Sequence, residues 1–254
     1  MADEVLLEQH GHVSVVTLNR PDARNAINLA LMTRLSEILD QCEADDNCRV
    51  IVLTGAGDKA FSAGMDLKAF AQGERPFNEH GFGGMTRRNF IKPLVGAANG
   101  AAFAGGFEML LMCDIIVASE HAKFGIPETQ IGLFAGAGGL LRLPTRLSPA
   151  IASEMALTAE PISAERAFQL GLVNHVLPIE AVVPRARAIA DRIASNAPLA
   201  VRASKRVLRE VIERGVEATW PLNDELFAKV ADSTDAHEGA TAFAEKRSAH
   251  WTGH

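Results

Sequence analysis

Three short apolar runs constrain the architecture more than anything else in the chain: "RVIVLTG" (49–55), "PLVGAANG" (93–100) and "DIIVAS" (114–119). Each reads as a strand, and the β-branched runs read as strands covered on both faces. Between the last two lies "GGFEMLLMC" (105–113), which reads as a helix. Strand, helix and strand in alternation predict βαβ construction and an α/β fold with a parallel sheet.

The flanking segments fit that frame. "VLLEQHGHVSVVTLN" (5–19) reads as two strands around a His-Gly turn, and residues 28–45 carry Leu31, Leu35, Ile38, Leu39 and Cys42 at helical spacing. Residues 56–67 read as a loop of small residues running into a polar helix, and "GERPFNEHGFGG" (73–84) as a mobile surface loop. From about residue 145 the chain reads as mostly helical. The expected division is a core over 1–195 and a helical oligomerisation region over 196–254, whose apolar faces pack on the core or on another subunit.

The 254 residues carry a net charge of −6, which argues against nucleic acid as a partner. Cys42, Cys48 and Cys113 lack metal-like spacing and suit a reducing cytoplasm. The opening "MADEVLLEQHGH" lacks a basic signal-peptide region, and "EMLLMCDIIVA" is too short to span a bilayer, so no membrane partner is expected.

Glu108 sits one turn after Gly105 and Gly106 in a strand-to-helix turn. Glycines there leave backbone N–H groups open to a ligand, at the positive end of a helix dipole. Gly105 can donate to a developing oxyanion, with Glu108 facing the same pocket; alternatively Glu108 only complements the helix terminus. "FSAGMDL" (61–67) has the same form and offers the Met65 N–H, or is an ordinary helix start with Asp66 in its first turn. Two such loops can converge two donors on one carbonyl oxygen. "FGIPETQIG" (124–132) adds Glu128 after Pro127, again either helix-terminal or catalytic. Two carboxylates in apolar settings can act as acid and base around one substrate.

Other chemistries find little support. The eight histidines show no metal-binding spacing, "GAGG" (136–139) is not followed by a phosphate-loop lysine, and no dinucleotide fingerprint occurs. Ser62 lacks a nucleophile elbow. Arg87, Arg88 and Lys92 read as a solvated helix face.

"RPDARNAI", "AFSAGMDL", "KPLVGAANGAAFAGGFE", "AKFGIPETQIGLFAGAGGLLRLP", "ISAERAFQLGLVNHV" and "AFAEKR" occur in the order and spacing of the crotonase (enoyl-CoA hydratase/isomerase) superfamily, and the resemblance covers essentially the whole chain. It implies a spiral of ββα units (ClpP-like), a C-terminal helical trimerisation region, trimers or hexamers, and a coenzyme A thioester as ligand. By position, Met65 and Gly105 resemble the oxyanion-hole residues, and Glu108 and Glu128 the two catalytic glutamates of the hydratases. Gly136 matches a loop that helps hold water, and Arg24, Ala26, Ala63, Asp66 and Leu67 fall where the family wraps coenzyme A. Phe243 and Lys246 match positions that reach a neighbouring subunit's coenzyme A.

The pattern departs from the family at Ala104, in place of the first glycine of a Gly triplet, at Phe107, in place of a small residue, and at Ala135, in place of proline. "FSAGMDLKA", "GGFE", "LLRLP" and "AFAEKRSAHWTG" resemble the carnitinyl-CoA dehydratase branch more than the short-chain hydratases. The resemblance implies hydration of a trans-2-enoyl-CoA in acyl-CoA degradation, with no metal and no separate cofactor. The alternatives are carnitinyl-type dehydration, 3,2-enoyl isomerisation, and, from a different class, a non-catalytic acyl-CoA or RNA binder.

Overall fold

The computed structural model describes residues 3–254. In chain order the strands are β1 (Val5–His10), β2 (Val13–Leu18), β3 (Val50–Gly55), β4 (Ala60–Ser62), β5 (Phe77–Asn78), β6 (Gly81–Phe82), β7 (Leu94–Ala98), β8 (Ala101–Phe103), β9 (Ile115–Ser119), β10 (Lys123–Gly125), β11 (Ile162–Ser163) and β12 (His175–Leu177). The helices are α1 (Leu29–Ala44), α2 (Leu67–Ala71), α3 (Gly105–Leu110), α4 (Gly139–Arg146), α5 (Pro149–Thr158), α6 (Ala164–Gln169), α7 (Ile179–Ala194), α8 (Pro198–Arg214), α9 (Val216–Ala231) and α10 (Thr234–Glu245).

The main sheet runs β1-β2-β3-β7-β9-β12, antiparallel only in the β1–β2 hairpin. Its side chains alternate with period two. Val13, Val15, Val50, Val52, Val95, Ala97 and Val117 face α7, which meets them with Val182, Ala186, Ala190 and Ala194. Spacing of four places those small residues on one helical stripe and lets the helix lie close to the valines. The intervening residues Val16, Leu18, Ile51, Leu53, Leu94, Ile116 and Ala118 face the larger core with α1 and α3. Asn28 caps α1 by accepting from the Leu31 N–H at 2.8 Å.

A second sheet runs β11-β10-β8-β4 beside the first. The chain visits the two sheets in turn: β3 then β4, β7 then β8, β9 then β10, each pair followed by a helical segment. This is the spiral of ββα units that the motifs imply. The structure adds what the residue pattern did not show, namely that 60–62, 101–103 and 123–125 are strands.

Two expectations are corrected. Residues 73–84 are a surface loop only in part: 73–80 are mostly exposed or half-buried, whereas β5 and β6 form a hairpin whose Gly81, Phe82, Gly83 and Gly84 are buried. Arg88 and Lys92 are not on a solvated helix face. Arg88 is buried and donates to Asp40 Oδ1, the Ser36 carbonyl and the Gly84 carbonyl. Lys92 is buried and donates to the Cys42 and Asp45 carbonyls, both at 2.7 Å. Those carbonyls belong to the C-terminal end of α1, where a cation is favoured.

The helices α8–α10 follow the turn after α7. Lys205 of α8 reaches back to Asp114 Oδ2 at 2.7 Å and to the Lys92 carbonyl at 2.8 Å. The tail after α10 folds onto the start of that helix, with the Thr252 and Gly253 N–H groups donating to buried Asp235 at 2.7 and 3.0 Å. The Trp251 indole donates to the Ser195 carbonyl at 2.7 Å, so the chain end also touches the end of α7.

Candidate active site

Three neighbouring strands of the second sheet, β4, β8 and β10, run parallel, and the candidate groups follow their C-terminal ends. Met65 lies three residues after β4, Gly105 two after β8, and Glu128 three after β10 in a short 3-10 helix, Pro127–Ile131.

Close backbone approach joins the first two loops. Gly64 has φ +87°, and a Cβ there would come within 2.9 Å of the Phe103 carbonyl oxygen and 3.0 Å of the Gly105 nitrogen. Gly106 is equally tight, since a Cβ would lie 2.4 Å from the Ser62 carbonyl oxygen. Ile27 bonds Gly64 and Asp66 on either side of Met65, which turns the Met65 N–H away from Ile27. The Gly105 N–H opens α3 and has no partner within its own helix. Among the described residues neither amide finds an acceptor.

Glu108 follows on the first turn of α3 and is 3% exposed. Its Oε1 accepts from the Gly139 N–H at 2.7 Å. Burial pushes its carboxyl up to about 7, the nearby Glu128 adds to the rise, and the Gly139 and Ala137 amides and the Arg142 guanidinium oppose it. Arg142 itself donates to the Thr86 and Ala137 carbonyls and so fixes the loop that carries Gly139. Glu128 is 8% exposed, burial raises its carboxyl too, and its Oε2 has no hydrogen-bond partner. The site thus holds two carboxyls with raised proton affinity beside two unpaired amide donors. That set can polarise a carbonyl and move protons at the carbons next to it.

These groups share a cavity of about 410 Å³, within the usual range for small-molecule sites. Leu67, Phe70, Phe77, Phe82, Ile131, Leu133 and Phe134 give it an apolar wall, and Gln130 is the one polar side chain there besides the two glutamates. Ala63, Met65, Leu67, Gly105 and Gly136 line it as well. Arg24, Ala26 and Asp66 do not. The Arg24 carbonyl accepts from the Ala63 N–H, and the Ala26 carbonyl from Arg20. Asp66 uses its carboxylate to cap α2 and to pair with Arg20 at 3.0 Å. Phe243 and Lys246 lie on and just after α10, outside this cavity, and Phe243 is 88% exposed.

The residue pattern missed Phe82, which packs on Gly105 so closely that a Cβ there would meet its ring at 2.3 Å. It missed Phe77, edge-on to Phe82 with centroids 5.3 Å apart, and Gly139, the hydrogen-bond partner of Glu108. Gly139 stands in the glycine loop already noticed; its partner is set only by the fold.

The raised proton affinity of Glu108 has a stability consequence. Its folded value of about 7 lies above the ordinary glutamate value of 4.5. Folding therefore favours the protonated form, and that contribution is complete below about pH 4.5 and lost as pH rises through 7. Glu108→Gln does not titrate, so its Tm relative to wild type rises between pH 5 and pH 8, worth at most about 3 kcal/mol. Scanning calorimetry at the two pH values reads this; equal differences at both would refute the shift.

A family model described as enoyl-CoA hydratase/isomerase matches residues 8–254. Carnitinyl-CoA dehydratase from Proteus mirabilis is 41% identical, and that from Escherichia coli K12 is 40% identical, each over 100% of both chains. The crystal structure of enoyl-CoA hydratase from Mycobacterium tuberculosis H37Rv superposes with a TM-score of 0.96 at 46% identity, covering 99% of this chain and 100% of that one. The carnitinyl-CoA hydratase structure from Mycobacterium avium gives 0.81 at 41% identity, with 100% of both covered.

Proposed function

The chain belongs to the enoyl-CoA hydratase/isomerase family, and from that premise we propose that it adds water, reversibly, across the 2,3 double bond of a trans-2-enoyl-CoA. It is a lyase of the crotonase type. The observation that carries the reading is the pair of buried glutamates beside two unpaired amides in one apolar cavity.

In this reading the thioester oxygen accepts from the Met65 and Gly105 N–H groups. In the reactive form Glu108 is the ionised carboxyl and Glu128 the protonated one, and Glu108 takes a proton from water as the water oxygen bonds to C3. The C2–C3 π electrons move toward the thioester, whose negative charge the two amides stabilise; one such donor is worth about 3 kcal/mol of barrier. Glu128 gives its proton to C2. Exchange with solvent then resets both carboxyls. The thioester is the electron sink, so the proposed step draws on no further cofactor, and coenzyme A arrives as part of the substrate.

The same steps in reverse dehydrate a 3-hydroxyacyl thioester, which is what carnitinyl-type dehydration requires. Within this proposal the acyl group is uncharged rather than trimethylammonium-bearing. The cavity's acidic side chains are Glu108 and Glu128 alone, and the Arg75 guanidinium already lies 3.9 Å over the Phe70 ring. With one face of Phe70 taken by that cation, we assign the cavity an uncharged acyl group.

The test follows the conjugated enone absorbance of purified protein with crotonyl-CoA and with its 4-trimethylammonio analogue. The expected result is rapid loss with crotonyl-CoA and a kcat/KM at least about tenfold lower for the cation. No hydration of either thioester refutes the hydratase reading. A preference for the cation moves the assignment to the carnitinyl branch.

Trimers, or hexamers built from them, are part of the proposal. Leu208, Ile212, Trp220, Phe227 and Phe243 on α8–α10 are exposed large apolar side chains that a subunit interface would cover. Phe243 and Lys246 would then face a neighbour's coenzyme A. A cytoplasmic setting in acyl-CoA degradation fits three free buried cysteines. No helix among the described residues is long and apolar enough to cross a membrane.

A further inference from the structure

Ala104 holds a backbone conformation that an L-residue adopts at a cost. Its φ is 49° and its ψ is −131°. Arg24, Ala159 and Lys246 also have positive φ, but ψ between 16° and 37° leaves them in the ordinary left-handed helical well. Ala104 lies outside it, in a region open chiefly to glycine.

The backbone bonds of Ala104 do not require the methyl group. Its N–H donates to the Gly125 carbonyl at 2.9 Å and its carbonyl accepts from the Glu108 N–H at 3.0 Å, both of which glycine would reproduce. What alanine adds is a Cβ, on a residue that lines the cavity. That Cβ lies against Gly64, where a built Cβ would come within 2.9 Å of it. Gly64 precedes Met65 and Ala104 precedes Gly105, so the methyl stands between the supports of the two unpaired amides.

We infer that the Ala104 methyl is a specificity element that excludes acyl groups branched at the α-carbon. The inference rests on the thioester reading above. An oxygen accepting from both amides puts the acyl α-carbon two bonds away, beside this wall. An unbranched chain passes along the cavity, whereas a second substituent on that carbon meets the methyl.

The experiment uses saturated thioesters, which bind without turnover, so its outcome is independent of whether crotonyl-CoA is hydrated. Butyryl-CoA and isobutyryl-CoA are titrated calorimetrically into wild type and Ala104→Gly. Wild type is expected to bind butyryl-CoA at least about tenfold more tightly, the discrimination that one methyl group gives in a close-fitting pocket. In Ala104→Gly the ratio is expected to fall to about threefold or less. Relief of the backbone conformation is expected to raise Tm by about 3 °C at the same time. The same affinity ratio in both proteins overturns the inference, whatever happens to Tm.

Discussion

Glu108→Gln and Glu128→Gln each lower kcat for crotonyl-CoA hydration by about 10³-fold, within the range for loss of a positioned general acid or base. KM changes little, since the amides that hold the thioester oxygen are untouched. The double variant is scarcely slower than the slower single one, because both carboxyls serve one proton circuit. A pH profile adds a second reading. Glu128, in the fraction that is ionised, adds to the rise of the Glu108 carboxyl, so in the residual activity of Glu128→Gln the limb due to Glu108 moves to lower pH. Steady-state kinetics on the three variants decides this; near-wild-type rates in both single variants would remove the two glutamates from the mechanism.

Gly64→Ala is the second large expected effect. A Cβ there meets the Phe103 carbonyl oxygen at 2.9 Å and the Gly105 nitrogen at 3.0 Å. Neither can yield without moving one of the proposed donors. With φ at +87°, the alanine is also strained in itself. The expected outcome is a loss of about 1–3 kcal/mol of stability and about 10²-fold in kcat, the cost of misplacing one oxyanion donor. Gly11→Ala separates the two causes. Gly11 has φ +56° and open space around it, so the substitution brings backbone strain alone and leaves kcat unchanged. Equal kcat values for Gly64→Ala and wild type would place the thioester oxygen elsewhere.

The main sheet was legible because its strands are long enough to show their burial. Val50–Gly55 and Ile115–Ser119 carry apolar residues on both faces, and α7 and α1 supply the two covers. The second sheet was not legible from the residues. Ala60–Ser62, Ala101–Phe103 and Lys123–Gly125 are three residues each, too few to express a period. Only the family resemblance anticipated them.

The 73–84 segment misled for a related reason. Its glycines suggest an exposed loop, yet they let Phe82 fold inward onto the bare face of Gly105, a contact that no local pattern encodes. Arg88 and Lys92 misled because a charged triplet reads as solvent-facing until the open carbonyls near the end of α1 are known. The glutamates stood out as carboxylates in apolar text. The environment of Glu108, including Gly139 and Arg142, came from a part of the chain about thirty residues away and so only from the fold.

The parallel strands β4, β8 and β10 act as a ruler for the reaction. Adjacent strands are about 4.8 Å apart, and beyond their ends β4 releases Met65, β8 Gly105 and Glu108, and β10 Glu128. The spacing between the amide donors and the carboxyls is therefore ruled by backbone hydrogen bonds, largely independent of how long the connections are. The connection between β4 and β7 contains α2 and the β5–β6 hairpin, and it contributes Phe70, Phe77 and Phe82 to the wall. Much of the acyl wall thus lies in a stretch of chain apart from the glutamates, while Ala104 sits beside the donor Gly105. A related sequence could exchange that part of the wall by altering that excursion while the ruled spacing, and the reaction it supports, stayed as they are.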